Sequence, residues 1–330
     1  MLDYRLRLDG ALNTVWEPLW LKLIRLSHEE QALMRSNAVR RLHFIRHGGA
    51  SFINSHHTYS RLQHTLGVFA LAAHFDPDNL ALRAAALLHD TGHAPFSHTL
   101  DAIEGVDHHQ WTKEVVFSDE IVSILSTASI SPAVVMDYID GSTRSLLRNK
   151  DGVLHADHLD SWVRSAFVGG YLPISTDELV SGMKYLNGYL QFTPEAGRHA
   201  LTLIVEEARM HGSPANIGIN AMLRKLVRQL IFHGKLDVAE LPVMTDAHIE
   251  QLLREEASTA EAYDKLLTES WRIRVTRENL TAAAETAILR KLYLATPLVE
   301  GVPITDTSTD ILKLLEDLQK MLGTYYVSWE

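Results

Sequence analysis

Apolar positions recur at helical spacing through most of the chain. Residues 17–39 carry Leu19, Leu23, Leu26 and Leu33 in that rhythm and predict one or two short helices. Between residues 60 and 74 two apolar stripes, Leu62-Leu66-Phe69-Ala73 and Val68-Leu71-Phe75, run along one segment, which predicts a helix buried nearly all round. Asp76-Pro77-Asp78-Asn79 has the turn chemistry of a helix start, and the Ala- and Leu-rich run 80–89 predicts a second buried helix. Further helices are predicted over 110–125, 132–139, 143–149, 154–167, 200–210, 220–232, 246–256, 259–271, 280–294 and 309–321. Asn187-Gly188 between two β-prone runs predicts a hairpin over 183–192, and the aromatic tail 325–329 a short strand. The expected fold is all-α, or mostly α with a small hairpin. Helical pattern lapses around Leu241-Pro242-Val243 and over 296–303. We therefore expect a core over residues 1–235, which holds the candidate chemistry, and a helical accessory region over 236–330.

Polar residues inside the two buried helices need a reason, because a buried charge or imidazole must be partnered or used. Arg61 and His64 share a face of the first helix with Val68. The second ends in Leu87-Leu88-His89-Asp90-Thr91-Gly92-His93-Ala94-Pro95-Phe96-Ser97-His98. Adjacent residues on a helix diverge by about 100°, so His89 and Asp90 can flank one metal ion. His64 and, from the helix 154–167, Asp157 complete a candidate His-His-Asp-Asp set. Such a set leaves positions open on a six-coordinate ion, as catalytic sites do. Two imidazoles favour Mn, Fe, Co, Ni or Zn over Mg. Phosphoester hydrolysis is the chemistry such an ion suits. His93, His98, Asp101, His108 and His109 follow closely enough to serve as proton donors or charge stabilisers.

Composition narrows the picture. The chain of 330 residues contains no cysteine, which removes disulfides, thiolate catalysis and thiolate metal sites. A net charge of −10 argues against a general nucleic-acid-binding surface, while leaving room for a local phosphate site. The start, Met1-Leu2-Asp3-Tyr4-Arg5, has no signal-peptide pattern, and no apolar run approaches the roughly 20 residues of a membrane helix. A cytoplasmic, soluble protein without a membrane partner is expected.

The ordered set His64, His89-Asp90, Asp157 resembles that of the HD-domain metal-dependent phosphohydrolases. Arg61-Leu62-Gln63-His64-Thr65-Leu66-Gly67-Val68 is similar to the Arg-Phe-Glu-His-Ser-Leu-Gly-Val motif of the dGTPase-like deoxynucleoside triphosphate triphosphohydrolases. Residues 87–98 resemble that family's Leu-Leu-His-Asp-Xaa-Gly-His-Gly-Pro-Phe-Ser-His motif nearly residue for residue. The likeness extends over roughly residues 35–230, from Arg41-Leu42-His43-Phe44-Ile45 to Glu207-Ala208-Arg209-Met210. It implies an HD-domain helical bundle, the four metal ligands above, and a phosphorylated small molecule, a nucleotide, as substrate. It further implies Arg61 as a phosphate contact, His93 and Asp101 as catalytic or phosphate-positioning groups, and His98 and His109 on the phosphate side, with His109 counted among the catalytic candidates. A homo-oligomer is expected by the same resemblance.

The chain also departs from the pattern. Where the family runs Lys-Trp-Asp-Tyr after the metal aspartate, this sequence has His158-Leu159-Asp160-Ser161, then Arg164-Ser165. His47-Gly48 stands where the mammalian enzyme of the family has Gln-Leu. His158 and Arg164 are taken as substrate-binding candidates in place of the missing groups. Two rival functions share these residues: a nucleotide-binding regulator with little turnover, and an HD-fold di-iron oxygenase that would recruit His93 and His109.

Overall fold

The computed structural model describes residues 13–279, 281 and 284–330. The first five residues, and Leu280, Ala282 and Ala283 at the head of one expected helix, lie outside these.

Two helices, α3 (Arg61–Phe75) and α4 (Leu80–Leu88), form the centre of the molecule and pack on each other. Ser60 and Gln63 close a reciprocal capping box that starts α3, and the Asn79 side chain caps α4. Around them lie α1 (His28–Arg35), α2 (Asn37–Arg41), α5 (His108–Val116), α6 (Asp119–Thr127), α7 (Pro132–Ile139) and α8 (Ala156–Gly169). A hairpin of β1 (Thr14–Glu17) and β2 (Lys22–Arg25) packs on α3. Then come α9 (Thr176–Ser181), β3 (Met183–Leu186), β4 (Tyr189–Phe192), α10 (Pro194–His211) and α11 (Pro214–Phe232). The chain ends through α12 (Asp246–Glu255), α13 (Ala260–Thr268), β5 (Ile273–Thr276), β6 (Glu285–Leu289), β7 (Leu298–Val299), β8 (Val302–Pro303), α14 (Thr309–Gln319) and β9 (Gly323–Trp329).

Two apolar cores support these layers. The larger surrounds α3, α4 and α8; the smaller joins Phe96 and Leu100 to α11 and to Ala287, Tyr325 and Val327 of the last strands. β4 pairs in parallel with β7, and β9 lies between β5 and β6 in an antiparallel sheet over α11. Residues beyond 236 are therefore built onto the same framework that carries His64 and Asp157.

The fold is mostly α, but nine strands among the described residues correct the all-α expectation. Residues 14–25 form a hairpin, since Val15 and Ile24 are buried while flanking positions face outward, a period of two that helical spacing of leucines concealed. Expected helix 110–125 is broken at Phe117-Ser118 into α5 and α6. Residues 143–149 are not helical: Ser145 N–H bonds the Arg148 carbonyl, and the Leu146 carbonyl accepts from Ala156 at the start of α8. Over 280–294 the described part is strand β6, where pairing with β9 and burial of Ala287 override the helical preference of an alanine-rich stretch. The accessory region is thus mixed α and β rather than helical. The hairpin over 183–192 forms with Asn187 and Gly188 at positive φ in its turn.

No single helix among the described residues is long and apolar enough to cross a membrane. The bent pair α6 and α7, which passes on composition, turns through 104° and buries Ile121, Leu125, Val135 and Ile139 in the larger core.

Candidate metal centre and cavity

His64 sits one turn into α3 and His89 immediately follows α4, so helix packing alone brings their rings together. The Nδ1–H of His89 donates to the Ala86 carbonyl at 2.9 Å, and that of His64 to Asp160 Oδ2 at 2.9 Å. Each bond fixes the tautomer and turns the Nε2 lone pair inward. The two Nε2 atoms then face each other at 3.4 Å. Asp157 Oδ1 lies 3.3 Å from His64 Nε2 and 3.8 Å from that of His89, and Asp90 Oδ2 is 3.6 Å from both. Two lone pairs and two carboxylate oxygens converging this closely repel one another unless a cation lies among them. Ligands about 2.1 Å from one ion stand roughly 3–3.5 Å apart, so the donor set fits a divalent transition metal.

In the metal-free chain a proton can take that place. Burial works against a charged His64, but its hydrogen bonds to Asp157 and Asp160 and the charges of Asp160 and Asp90 raise its pKa to about 9. Metal must displace this proton, so apparent affinity should rise with pH, about tenfold per unit, until it levels near pH 9. The sign for stability is opposite. A folded-state pKa above the ordinary 6.5 stabilises the metal-free protein fully below that value, and the gain is lost as pH rises through 9. Metal titrations and thermal melts across this range check both; a flat affinity profile would contradict the raised pKa of His64.

Asp160 holds the centre from behind. With no exposed surface, it receives Trp20 Nε1 at 2.6 Å and Arg164 Nη2 at 2.7 Å on Oδ1, and Arg164 Nε at 3.0 Å beside His64 on Oδ2. Arg164 also donates to Glu17 Oε1 at 2.9 Å. This corrects the expectation that Arg164 binds substrate: it is buried, its donors are spent on Asp160 and Glu17, and it does not line the cavity. The cluster fits against α3 only because residue 67 is glycine. A Cβ there would meet Asp160 Oδ1 at 1.8 Å and Arg164 Nη2 at 2.2 Å. Gly67→Ala should therefore cost about 2–3 kcal/mol of stability, visible in a denaturant titration, whereas an unchanged midpoint would refute the packing.

Arg61 is also engaged. Its guanidinium donates to Asp90 Oδ2 at 2.7 Å, Ser97 Oγ at 2.9 Å and the His47 carbonyl at 3.1 Å. Burial opposes ionisation of Asp90, but Arg61, His89 and His93 hold its carboxyl well below the usual range. Arg61 thus braces a candidate ligand at the cavity wall, where the resemblance implied a phosphate contact. His93 Nε2 approaches Asp90 Oδ1 at 3.3 Å, its ring stacked on His108 with centroids 4.3 Å apart. Burial pushes the His93 pKa well down, so this ring is neutral, and its Nδ1 has no hydrogen-bond partner. Asp101 stands farther out, accepting from His98 Nδ1 at 2.8 Å and facing His108 Nδ1 at 3.4 Å. Burial would raise its pKa, yet those two histidines hold it far below the ordinary value. His109, 4.1 Å from the His108 ring, and His158, packed on Trp162, line the same wall.

These residues enclose a cavity of about 430 Å³. Sequence reasoning missed part of its lining. Arg148, Arg224, Arg290 and Lys291 give it a cationic rim, and Tyr293 brings its ring to 5.1 Å from that of His158. Three of these come from the segment following β6, where the expected helix gave no hint of a cavity wall. His57, Glu207 and His211 form another wall. Glu207 opens the Glu207-Ala208-Arg209-Met210 match and is buried within an apolar stripe of α10, but nothing local in the sequence joins it to His57.

Residues 61–151 match the HD domain family model. That segment, which holds Arg61, His64, His89 and Asp90, is similar to HD domains. Metal-dependent phosphohydrolase cns2 of Cordyceps militaris is 24% identical over 261 residues, 72% of either chain. YdhJ of Bacillus subtilis, an uncharacterized protein, is 26% identical over 246 residues, 72% of this chain and 74% of its own. Another B. subtilis protein, YwfO, is 27% identical over 158 residues, and the match spans only 36% of its length and 42% of this chain. The fold around that segment is shared with a phosphohydrolase from Bacteroides thetaiotaomicron, at TM-score 0.72 and 16% identity over 96% of this chain and all of that one. A hypothetical protein from Aquifex aeolicus gives TM-score 0.70 at 17% identity over 96% of both.

Proposed function

We propose that this protein is a metal-dependent phosphohydrolase acting on a phosphoester or phosphoanhydride of a nucleotide, with deoxynucleoside triphosphates the first substrates to try. The observation that carries this reading is the convergence of His64, His89, Asp90 and Asp157 on one point at the wall of a cationic cavity, in a protein whose net charge is −10. A cavity of that volume suits a small ligand, and its local basic rim suits a polyanionic one. A divalent ion held by the four ligands would polarise a phosphate oxygen and acidify bound water. The chain's own residues supply the rest. Arg61 keeps Asp90 ionised and aligned; neutral His93 lines the cavity with its Nε2 3.3 Å from Asp90 Oδ1; Asp101 orients His98 and His108 to protonate a leaving oxygen. His109 and His158 remain beside them as further contacts. Tyr293, its ring 5.1 Å from that of His158, brings a phenol to the same cavity that Ser161 lines.

Ser161 favours one alternative, a nucleotide sensor with little turnover, because its short side chain cannot reach as a tyrosine would. A panel of nucleoside tri- and monophosphates and phosphodiesters, incubated with manganese-loaded protein while phosphate, pyrophosphate and triphosphate are separated, decides between them. Triphosphate release from a deoxynucleotide supports the proposal in full. Binding without turnover selects the sensor, and neither binding nor turnover on the panel overturns both.

A further inference from the structure

Away from the four-ligand centre, the cavity wall carries a second group of metal-ligating side chains. Glu207 and His211 lie one turn apart on α10 and share a face. His57 faces them from the loop before α3. Glu207 Oε1 stands 3.5 Å from His57 Nε2 and 3.4 Å from His211 Nε2, and the three ligand atoms lie within 4.8 Å of one another. Both contacts are too long for good hydrogen bonds. They match the roughly 3.4 Å expected between ligands about 2.1 Å from a tetrahedral ion. His57 Nε2 and Glu207 Oε2 are buried without any hydrogen-bond partner, although both residues are at least nine-tenths buried. An unpartnered buried carboxylate oxygen and an unpartnered buried imidazole nitrogen, side by side, are costly unless something occupies the space between them.

Backbone geometry places His57 on purpose. It adopts φ 48°, an uncommon region for a residue with a side chain, and its Cβ packs where a Cβ on Gly48 would come within 2.3 Å. His47 lies between the two centres, its ring 4.5 Å from that of His64 and 6.5 Å from that of His57, so no ligand is shared.

We infer that His57, Glu207 and His211 form a second metal site, a two-histidine, one-carboxylate set for a divalent transition ion such as Zn²⁺, Co²⁺ or Fe²⁺. All three residues line the cavity, so a fourth coordination position faces a ligand bound there. The inference rests on this cluster alone and not on the proposed hydrolysis.

The test is metal stoichiometry. Full-length protein is stripped with chelator, titrated with Zn²⁺ or Co²⁺, desalted, and analysed for metal per chain, with far-ultraviolet circular dichroism to confirm folding. Wild type should bind two ions, Glu207→Gln one, and Asp157→Ala one. Joining Glu207→Gln to Asp157→Ala should leave none. His211→Asn, at the partly exposed end of α10, gives a second route to the one-ion state should Glu207→Gln fold poorly. A wild type whose single ion is lost in Asp157→Ala but kept in Glu207→Gln, or a count unchanged in both Glu207→Gln and His211→Asn, overturns the second site. Loss of metal in Asp157→Ala concerns the first centre only, so the two readings fail separately.

Discussion

Asp157→Ala is expected to empty the four-ligand centre and to lower hydrolysis by on the order of a thousandfold or more. The size follows from what the ion supplies: several kcal/mol of charge stabilisation in the transition state, at about 1.4 kcal/mol per tenfold in rate. Asp157 is the only one of the four ligands on α8, and its Oδ1 is the atom nearest to His64 Nε2. Without it, two imidazoles and Asp90 must hold the ion alone. Asp90 is already committed to Arg61 and His93, so it cannot turn to compensate. Folding should survive, because the Asp157 side chain makes its close contacts with the imidazoles of the centre and not with the core. Metal content, activity and melting temperature measured together distinguish this outcome from unfolding. Retained activity in a folded, metal-free variant would be incompatible with the site assignment.

Asp160→Ala should produce a large loss of stability. The carboxylate is completely buried and joins Trp20, His64 and Arg164 in one cluster with Glu17. Removing it strands a buried guanidinium opposite a single remaining carboxylate, a change worth about 3–5 kcal/mol. Asp160→Asn separates this from the positioning role. The amide keeps the volume but presents one acceptor oxygen instead of two, so the His64 tautomer is no longer enforced. Metal affinity should fall by about 10–100-fold, with a smaller loss of stability than in Asp160→Ala. Calorimetric metal titration reads the affinity, and denaturant midpoints read the stability. Equal affinities in wild type and Asp160→Asn would show that the bond to His64 Nδ1 does not organise the centre.

The parts of the molecule that a sequence reveals are those governed by local pattern. The α3 and α4 helices were legible because each is buried almost all round, and a buried helix needs an uninterrupted apolar run. His64, His89, Asp90 and Asp157 could be named because histidine and aspartate inside or beside such runs demand an explanation. The hairpin at Asn187-Gly188 was legible because its turn requires positive φ at both central positions. Other features depend on contacts between segments far apart in the chain. Arg164 looked free to meet phosphate until Glu17, from the first strand, was brought beside it. Strand β6 is set by pairing with β9, more than 30 residues later, and no local signal marks it. Lys291 and Tyr293 reach the cavity only because that sheet packs on α11. The group of His57, Glu207 and His211 joins residues 150 positions apart.

The central claim is that the four-ligand centre carries out phosphoester or phosphoanhydride hydrolysis. It is tested most directly by following product release from a nucleotide substrate before chelation, after chelation, and after reloading with Mn²⁺. The account predicts turnover in the first state, none in the second, and recovery in the third for wild type but not for Asp157→Ala. Turnover that persists after the metal has been removed, or that Mn²⁺ restores equally in Asp157→Ala, would contradict it.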